Sequence, residues 1–547
     1  MRYAAGLRHL ATVCALLAVA LVYLWPLLAR VTSAIPGGPN DRDVATMVWN
    51  VGWVHHALRS GTTSSLLRTS DVLVPFGADL RLHTYGLLQG VLAEPLVLWL
   101  GVVAGFNVIV VLTLLLNGVT TYALVVREAR SAPAAVLAAT CCMLASPILA
   151  QLRVGRPSFG SVWLVAGAVL AAGSLLDRPH AWKGIALGGL LLGALVSDFQ
   201  IALFAAIWLI VYGVYRAWRD RGALVSRGHV VAIGLAAALA GLPFLLVYYP
   251  ALARADAAGY PRPALDDMLP YSFRLVDYAD PLVIPHVYGF DLLVGALAAS
   301  ALFRWRGVYR VWLVGGGVCL LLALGPSLQP TELPLPFAAL GVWPPLAQFR
   351  TPSRLAMPAV FGLSVVLGLA VAPVLRRVTP LVASLAVGLL IAGRLVFALA
   401  HDPFGVQTYP TYSVYERLAA EPGRFTLLEV PFGVRSGLAR IGDGGEVLEY
   451  YQHVHGKPVI NGMIARLPTL VFDAYGAHPA LRLLSGEDVS ASAEDLDEVL
   501  RWAEVRYVVV HRGLLTEAQL RRIEGLLDQQ LQRVDQEADL VVFAVRS

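Results

Sequence analysis

Two carboxylates lie two residues apart in the stretch GGPNDRDVATMVW, directly after the first long apolar run of the chain. Asp is among the best N-cap residues, so Asp43 could begin a helix with Asp41 as a solvated neighbour. A carboxylate held at the edge of a membrane could also take a proton from a hydroxyl group or bind a metal ion. Both interpretations suit Asp43, because a helix cap is also a rigidly positioned carboxylate.

Other ionisable residues interrupt apolar sequence further along the chain. Asp198 stands in GALVSDFQIALF, where it is either the charged tip of a tight turn or a functional residue, since such groups are costly to bury in a membrane. Arg350 and Arg354 stand in QFRTPSRLAMP, at the expected start of a helix near Pro352. These arginines either flank the helix and extend to the membrane interface, or hold a phosphate beside the helix N-terminus.

Three further stretches contain weaker candidates. Arg153 and Arg156 in AQLRVGRPSFG are equally consistent with membrane anchors and with phosphate ligands. His453 and His455 in EYYQHVHGKP have no identifiable third metal ligand, so a metal site there is poorly supported. A polar wall for a substrate is offered by the stretch YSFRLVDYADPLVIPHVYG, through Arg274, Asp277, Asp280 and His286.

The composition shows what kind of scaffold must position these residues. The 547-residue chain is 57% hydrophobic and only 14% charged, with a mean hydropathy of +0.66, which is typical of a polytopic membrane protein. Its four cysteines lie in apolar runs without CxxC spacing, which argues against disulfides or a zinc site. The net charge of +5 lies mostly in short loops, so it reports membrane topology and indicates no nucleic-acid partner.

Apolar stretches long enough to cross a membrane, some only with their flanks, recur along the first 400 residues. A span needs about 20 residues, and the first run is read as a retained span, since no cleavage pattern for a signal peptide follows it. We predict eleven spans, near 11–29, 106–126, 132–150, 161–176, 184–197, 199–215, 229–248, 288–303, 311–325, 354–372 and 380–399.

One more apolar segment, Gly86 to Val103, decides the topology. It carries Glu94-Pro95 at its middle. If it stays on one side, the loops richest in Arg and Lys all become cytoplasmic, as the positive-inside rule requires. We therefore predict a cytoplasmic N-terminus and an interfacial helix here, so that residues 30–105 form one outer loop.

The outer regions are expected to contain structure of their own. Asp43 to Ser60 has apolar residues at helical spacing and predicts an amphipathic juxtamembrane helix that lies flat on the membrane. From residue 401 onward the runs FTLLEVPF, VRYVVVH and LVVFAV alternate with helical stretches at 493–503 and 516–531, which indicates a small α/β domain. The predicted division is a transmembrane domain over 1–400 and an extracytoplasmic α/β domain over 401–547.

The order of these features resembles the GT-C membrane glycosyltransferases. The resemblance rests on NDRDVATMVW, FGADLRLHTYGLL, GFNVIVVLTLLLNGVTTYALVVREA and AAVLAATCCMLASPILAQL. More narrowly, FRTPSRLA, LLEVPFG, HGKPVINGMIARLP and VRYVVVHR are similar to motifs of a bacterial GT-C-like set. The resemblance covers most of the chain through short, degenerate motifs. It implies a helical polytopic fold with juxtamembrane helices in the bacterial cytoplasmic membrane.

The resemblance also implies an activity. A hexosyl- or pentosyltransferase of this kind takes a sugar from a polyprenyl-phosphate donor and passes it, with inversion, to a glycan, lipid or protein acceptor. Asp43 matches the family's first-loop acid, the general base, with Asp41 as second choice, and Arg350 and Arg354 would hold the donor phosphate. Arg156 stands where many relatives have a His, and it is a further candidate phosphate ligand. Contacts to substrate are expected from Asp198, Asp277, Asp280 and His286. The first loop lacks the Asp-Glu doublet of some branches, which leaves a divalent metal ion as an open question and no other cofactor expected.

Two other classes of function compete with this hypothesis. A transporter or lipid-handling protein would show paired, broken spans and ionisable groups at mid-membrane, whereas the predicted spans are almost free of charge. A catalytically silent GT-C-like scaffold would present its outer domain to envelope partners. The effect of Asp43→Asn on sugar transfer discriminates between an enzyme and both alternatives.

Overall fold

The computed structural model describes residues 2–39, 41–60, 66–220, 226–278, 307–341 and 343–546. The chain forms two compact units. We call the first the helical unit; it comprises Met1–Gly38, Asn107–Pro250 and Pro263–Gln407. We call the second the sheet unit; it comprises Pro39–Phe106, Ala251–Arg262 and Thr408–Ser547. The predicted boundary at residue 400 stays a prediction, while the contacts group residues 39–106 with the C-terminal part of the chain.

Helices dominate the helical unit. Its longer helices are Arg2–Tyr23, Ala132–Met143, Ser146–Arg153, Val162–Asp177, Ala181–Ser197, Phe199–Arg219, Arg227–Pro243, Tyr309–Ala323, Ala356–Leu375 and Pro380–His401. The helix Val102–Ala129 also belongs to this unit from Asn107 onward. Short helices and turns are Trp25–Leu28, Phe244–Tyr248, Tyr249–Ala253, Leu265–Met268, Leu269–Tyr271, Leu275–Tyr278, Pro336–Leu340, Pro344–Ala347 and Pro352–Leu355. Ile35–Pro36 pairs with Val406–Gln407, and Ser327–Leu328 pairs with Leu333–Pro334.

Several of these helices are long and apolar enough to cross a membrane. Within the described residues there are five, Val102–Ala129, Phe199–Arg219, Arg227–Ala253, Pro352–Leu375 and Pro380–His401, or six if the bent pair 132–153 is one span. That pair bends by 47°, at a break that is followed by Pro147, which has no backbone N–H to continue the helix. Ten of the eleven predicted spans coincide with apolar helices, some of them shorter, and the span at 288–303 lies outside the described residues. The chain is a multi-pass membrane protein.

The helix Ala356–Leu375 forms the centre of the helical unit. In the most apolar 18-residue stretch of its span Pro352–Leu375, 94% of the residues are buried. The corresponding share is 11% in Arg227–Ala253 and 22% in Pro380–His401, so these two helices expose apolar faces of the kind that lipid covers. Trp208 inserts beside Gly315 and Gly362, where a Cβ would overlap its indole ring. The two glycines therefore allow a fully buried tryptophan to fill the core.

A four-stranded sheet organises the sheet unit. Its strands are, in order, Leu531–Glu537, Leu540–Val545, Val505–His511 and Thr426–Val430; the last pair is parallel and the others are antiparallel. Helices Ala493–Trp502 and Glu517–Gln530 begin at capping boxes set by Ser492 and Thr516. The predicted α/β composition of the C-terminal residues is confirmed.

Smaller elements complete the sheet unit. Its short helices are Ser413–Ala420, Gly445–Glu449, Gln452–His455, Thr469–Gly476, Pro479–Leu484 and the turns Leu80–Leu82 and Arg512–Leu514. Its short strands are Arg68–Thr69, Ala78–Asp79, Val434–Arg435, Arg440–Ile441 and Gly462–Met463.

The first loop contributes two helices to this unit, Asp43–Arg59 and Leu87–Leu100. The helix predicted at 43–60 is confirmed, but its predicted amphipathic character is wrong. Val44 to Val54 are all buried, and Trp49 and Trp53 share one hydrophobic core with the sheet. These apolar residues therefore face protein and are not available to a membrane surface. Leu87–Leu100 is 14 residues long, about 21 Å, which is short of the roughly 30 Å of a bilayer core.

Candidate functional site

Asp43 stands in the first turn of helix Asp43–Arg59 and contacts Arg435. The N-cap is Arg42, with no side-chain hydrogen bond, so the prediction that Asp43 caps the helix is wrong by one residue. The Nη1 of Arg435 donates to Asp43 Oδ1 at 3.3 Å. The Asp43 side chain remains 24% exposed. Asp41 precedes the helix and is partly buried. The structure thus presents Asp43 as an oriented, solvent-accessible carboxylate.

Further polar partners line the same helix over the next two turns. The Thr46 hydroxyl donates to Glu449 Oε2 at 3.0 Å, and Trp49 Nε1 donates to Gln452 Oε1 at 2.5 Å. Glu449 is fully buried. Sequence reasoning missed Arg435, Glu449 and Gln452, because their distance along the chain from helix Asp43–Arg59 leaves no spacing signal.

His83 fixes the position of this helix from the other side. Its Nδ1 accepts from the backbone N–H of Ala465 at 2.9 Å, and its Nε2 lies 3.1 Å from Asn50 Oδ1. With one nitrogen accepting, the other must be the donor, so the ring is the neutral Nε2–H tautomer. Burial lowers the pKa of His83 to about 3, which agrees with that tautomer.

In the helical unit the structure brings together two residues predicted separately, Asp198 and Arg354. Asp198 is the single residue between helices Ala181–Ser197 and Phe199–Arg219, and its Oδ1 accepts from Gln200 N at 2.8 Å. Arg354 donates through Nη1 to Gln200 Oε1 at 3.2 Å and stacks 3.9 Å from the centre of the Phe159 ring. Burial raises the pKa of Asp198 to about 6, opposed by the Gln200 N–H and the charge of Arg354.

The other arginines have different surroundings. Arg350 lies 4.7 Å above the ring of Tyr271, a cation–π contact. Arg156 is partly buried in the turn that leads to Phe159. Arg153, which the sequence left open between anchor and phosphate ligand, pairs with the buried Asp402 at 2.9 Å.

The predicted polar wall is described only in part. Arg274 pairs with Asp277 at 3.0 Å across one exposed turn. The structure thus brings together two residues of the predicted wall, and the hydrogen bonds observed for Asp277 in the described part of the chain all go to Arg274. Asp280 and His286 lie outside the described residues. Their roles stay predictions.

No group of three or more His, Cys, Asp or Glu side chains is placed to hold a metal ion in the described residues. His453 Nδ1 bonds to the carbonyl of Tyr450, and His455 Nδ1 accepts from Lys457 N at 2.9 Å. The backbone therefore occupies the Nδ1 atom of each histidine.

Comparison with solved structures finds glycosyltransferases of similar fold. A mycobacterial arabinofuranosyltransferase, AftD, matches with a TM-score of 0.59 at 14% identity, over 98% of this chain and 41% of that one. The oligosaccharyltransferase of Archaeoglobus fulgidus, in complex with Zn and sulfate, matches at 0.54 and 12% identity, over 94% of this chain and 70% of that one. The fold is GT-C-like.

A second structure of the archaeal enzyme supports the same GT-C-like fold. Tethered to an acceptor peptide with the NVT sequon, it matches with a TM-score of 0.52 at 13% identity, over 98% of this chain and 74% of that one. No family model matches the chain, and no curated protein matches it. At these identities the likeness establishes the GT-C-like fold alone.

Proposed function

We propose that this protein is a membrane glycosyltransferase that moves a sugar from a polyprenyl-phosphate donor to an envelope acceptor. The observation that carries the proposal is the Asp43 carboxylate, oriented by Arg435 and open to solvent, on a GT-C-like fold. The acceptor is a glycan, lipid or protein, and the sugar is a hexose or a pentose.

Asp43 serves as the general base in this proposal. It removes the proton from the acceptor hydroxyl while that oxygen attacks the anomeric carbon of the donor sugar. The bond between the anomeric carbon and the phosphate oxygen breaks, and the polyprenyl phosphate leaves with the bonding electrons. Inversion follows, because a single displacement attacks from the face opposite the leaving group. Asp41, two residues earlier, is the second candidate for the base.

Arg350 and Arg354 bind the donor phosphate in this proposal. A departing phosphate gains charge, and guanidinium groups stabilise it through charge-assisted hydrogen bonds. Arg354 is supported by its place at the start of the span Pro352–Leu375, where the turn Pro352–Leu355 precedes the helix. Arg156 is a third phosphate candidate. Asp198, whose pKa lies near 6 beside Arg354, adjusts the charge available to the donor.

Asp277, Asp280 and His286 are proposed substrate contacts. The proposed location is the bacterial cytoplasmic membrane, with the N-terminus inside and residues 401–547 outside. The distribution of Arg and Lys in the short loops supports this orientation. A lipid-linked donor then reaches the site from the bilayer, and the acceptor is part of the envelope.

A transfer assay tests the proposal. Full-length protein in nanodiscs is given synthetic polyprenyl-phosphate hexoses and pentoses with an envelope glycan extract, and wild type is compared with Asp43→Asn. Loss of about a hundredfold or more in kcat is expected, the usual effect of removing a general base. Asp488→Asn, a 95% exposed carboxylate, is the matched control. Transfer by Asp43→Asn at the wild-type rate would exclude Asp43 as the base, and no transfer by wild type would favour a silent scaffold.

A further inference from the structure

A cavity of about 400 Å³ lies within the sheet unit, beside the second half of helix Asp43–Arg59. Its other wall is formed by residues 452, 453 and 456. The volume falls in the range of about 300–1,000 Å³ that small-molecule sites occupy. Asp43 does not line it, and the nearest lining residue along the helix, Trp49, follows Asp43 by six residues, or about 9 Å along the helix axis. The cavity is therefore separate from the proposed base.

Two tryptophans form one side of the cavity. Trp49 and Trp53 stack nearly parallel, with ring centroids 5.9 Å apart and planes 12° apart. The side-chain oxygen of Gln452 accepts a hydrogen bond from the Trp49 indole N–H. The amide nitrogen of Gln452 donates to the backbone carbonyls of Asp71 and Lys457. The aromatic surface is thus rigid before any ligand arrives, which lowers the entropic cost of binding. Trp49 is 1% exposed and Trp53 is 7% exposed, so Trp53 is the ring that a ligand can touch, and its exposed part suits the C–H groups of a sugar.

Close packing keeps this wall in place. A Cβ on Gly52 would lie 2.9 Å from the Cβ of His453, nearer than side-chain atoms approach. Glycine at position 52 therefore allows the helix to approach residue 453 and defines the width of the cavity.

Histidines supply the hydrogen-bonding groups around the rings. His453 donates through Nδ1 to the Tyr450 carbonyl, and burial lowers its pKa, so its neutral ring keeps Nε2 as an acceptor. His55 uses Nδ1 for the Glu94 carboxylate at 3.0 Å, so the bond to Glu94 does not occupy Nε2. A ligand with several hydroxyl groups can donate to the first and bond to the second.

The charges around the cavity are balanced. Arg59 and Asp71 both line it, and Asp71 lies 3.8 Å from His56 and 2.6 Å from Arg424. A phosphate would need an excess of cations, and the described residues offer no metal group. A neutral ring with many hydroxyls satisfies a mixed set of donors and acceptors beside the exposed part of Trp53.

We propose that this cavity is a saccharide-binding site for a neutral mono- or disaccharide. It is additional to the proposed transfer site, and the source of its ligand rests on the proposed function. Its occupant is a saccharide of the acceptor glycan or the sugar of the lipid-linked donor, which share the same ring chemistry.

Saturation-transfer NMR on the full chain tests this site. The protein is kept in nanodiscs free of glycosidic detergent, and methyl α-mannopyranoside, methyl β-glucopyranoside, methyl α-arabinofuranoside and the disaccharides mannobiose and cellobiose are titrated. Saturable binding of at least one probe is expected. His55→Ala, whose side chain is 26% exposed, and Trp53→Phe should each weaken it by about tenfold.

Two comparisons separate this site from the transfer site. Asp43→Asn should bind the probe as wild type does, so loss of transfer and loss of binding are distinguishable. His401→Ala, an exposed histidine elsewhere in the chain, is the matched control. Displacement of the probe by a short-chain prenyl-phosphate sugar identifies the donor as occupant, and no displacement identifies the acceptor glycan. The proposal is overturned if no probe binds saturably, or if binding is unchanged in both His55→Ala and Trp53→Phe.

Discussion

Arg435 donates to the carboxylate of Asp43 across 392 residues of sequence, with Nη1 and Oδ1 3.3 Å apart. The contact joins the first turn of helix Asp43–Arg59 to the short strand Val434–Arg435. That strand is held between Arg440–Ile441 and Gly462–Met463. The orientation of the proposed base is therefore set by the C-terminal part of the chain.

Removing Arg435 should impair transfer while leaving the fold intact. In Arg435→Ala the Asp43 carboxylate loses a fixed orientation, and kcat should fall by about tenfold or more, because a misplaced catalytic group loses much of its effect. Steady-state kinetics in nanodiscs measure this kcat. Arg440→Ala, on the neighbouring strand and 69% exposed, is the control.

A double-mutant cycle makes the Arg435 prediction specific. If Arg435 acts through Asp43, then adding Arg435→Ala to Asp43→Asn should cost little more than Asp43→Asn alone. Losses that simply multiply would show that Arg435 acts independently of the carboxylate.

The pH dependence of donor binding should follow Asp198. Its pKa is raised to about 6 by burial, so it is neutral below that pH and ionised above it. The neutral form leaves the charge of Arg354 available to a phosphate. The KM for the donor should therefore rise as pH increases from about 5 to about 7.5. Asp198→Asn should show a low KM and no such rise.

The same raised pKa has a consequence for stability. A carboxyl group with a higher pKa in the folded state contributes its stability at low pH and loses it as pH rises through about 6. Asp198→Asn should remove that slope from thermal unfolding, whereas the exposed Glu332→Gln should keep it. A donor KM that rises equally in Asp198→Asn and wild type would contradict the assignment.

Acid should destabilise the sheet unit through His83. Its pKa is about 3 in the fold against an ordinary 6.5, so the unfolded chain binds a proton that the folded chain does not. Stability should fall as pH decreases below about 6.5, by about 1.4 kcal/mol per pH unit for one such group. His83→Asn should flatten the slope of the unfolding free energy against pH, followed by tryptophan fluorescence, and the exposed His401→Asn should not. Equal slopes in all three proteins would contradict the prediction.

The packing around Trp208 gives a stability prediction for the helical unit. Gly362→Ala places a methyl group on the indole ring and should cost about 1–3 kcal/mol, the usual penalty for overpacking a core. Gly388→Ala is the matched control, since it meets nothing within 4 Å. The thermal unfolding midpoint should fall only in the first variant, and Trp208→Phe should partly restore it. No difference between the two alanine variants would show that the core adapts.

Much of the local structure is predictable from the sequence because its signals are local. The runs VRYVVVH and LVVFAV form strands Val505–His511 and Leu540–Val545, and the α/β composition follows. Two helices begin directly after residues 492 and 516 because each of these residues forms a capping box with the residue three positions later. Apolar runs located ten of the described apolar helices for the same reason.

The site could be predicted only as separate candidates. Asp43 and Asp198 stand out as isolated carboxylates, but their partners Arg435 and Arg354 lie far away in sequence, and spacing carries no information about such contacts. The helix at 43–59 has apolar residues on one face, which suggested a membrane surface. Tertiary packing instead buries it almost completely.

The sheet unit is assembled from three separate segments, 39–106, 251–262 and 408–547. The chain is made from its N-terminus, so helix Asp43–Arg59 exists for most of translation without the strands and helices that will cover Trp49 and Trp53. Its core closes only when the last segment has been synthesised. A ribosome stalled before residue 408 would therefore hold a chain whose membrane helices are complete while the tryptophans of its first loop remain exposed, a natural substrate for chaperones.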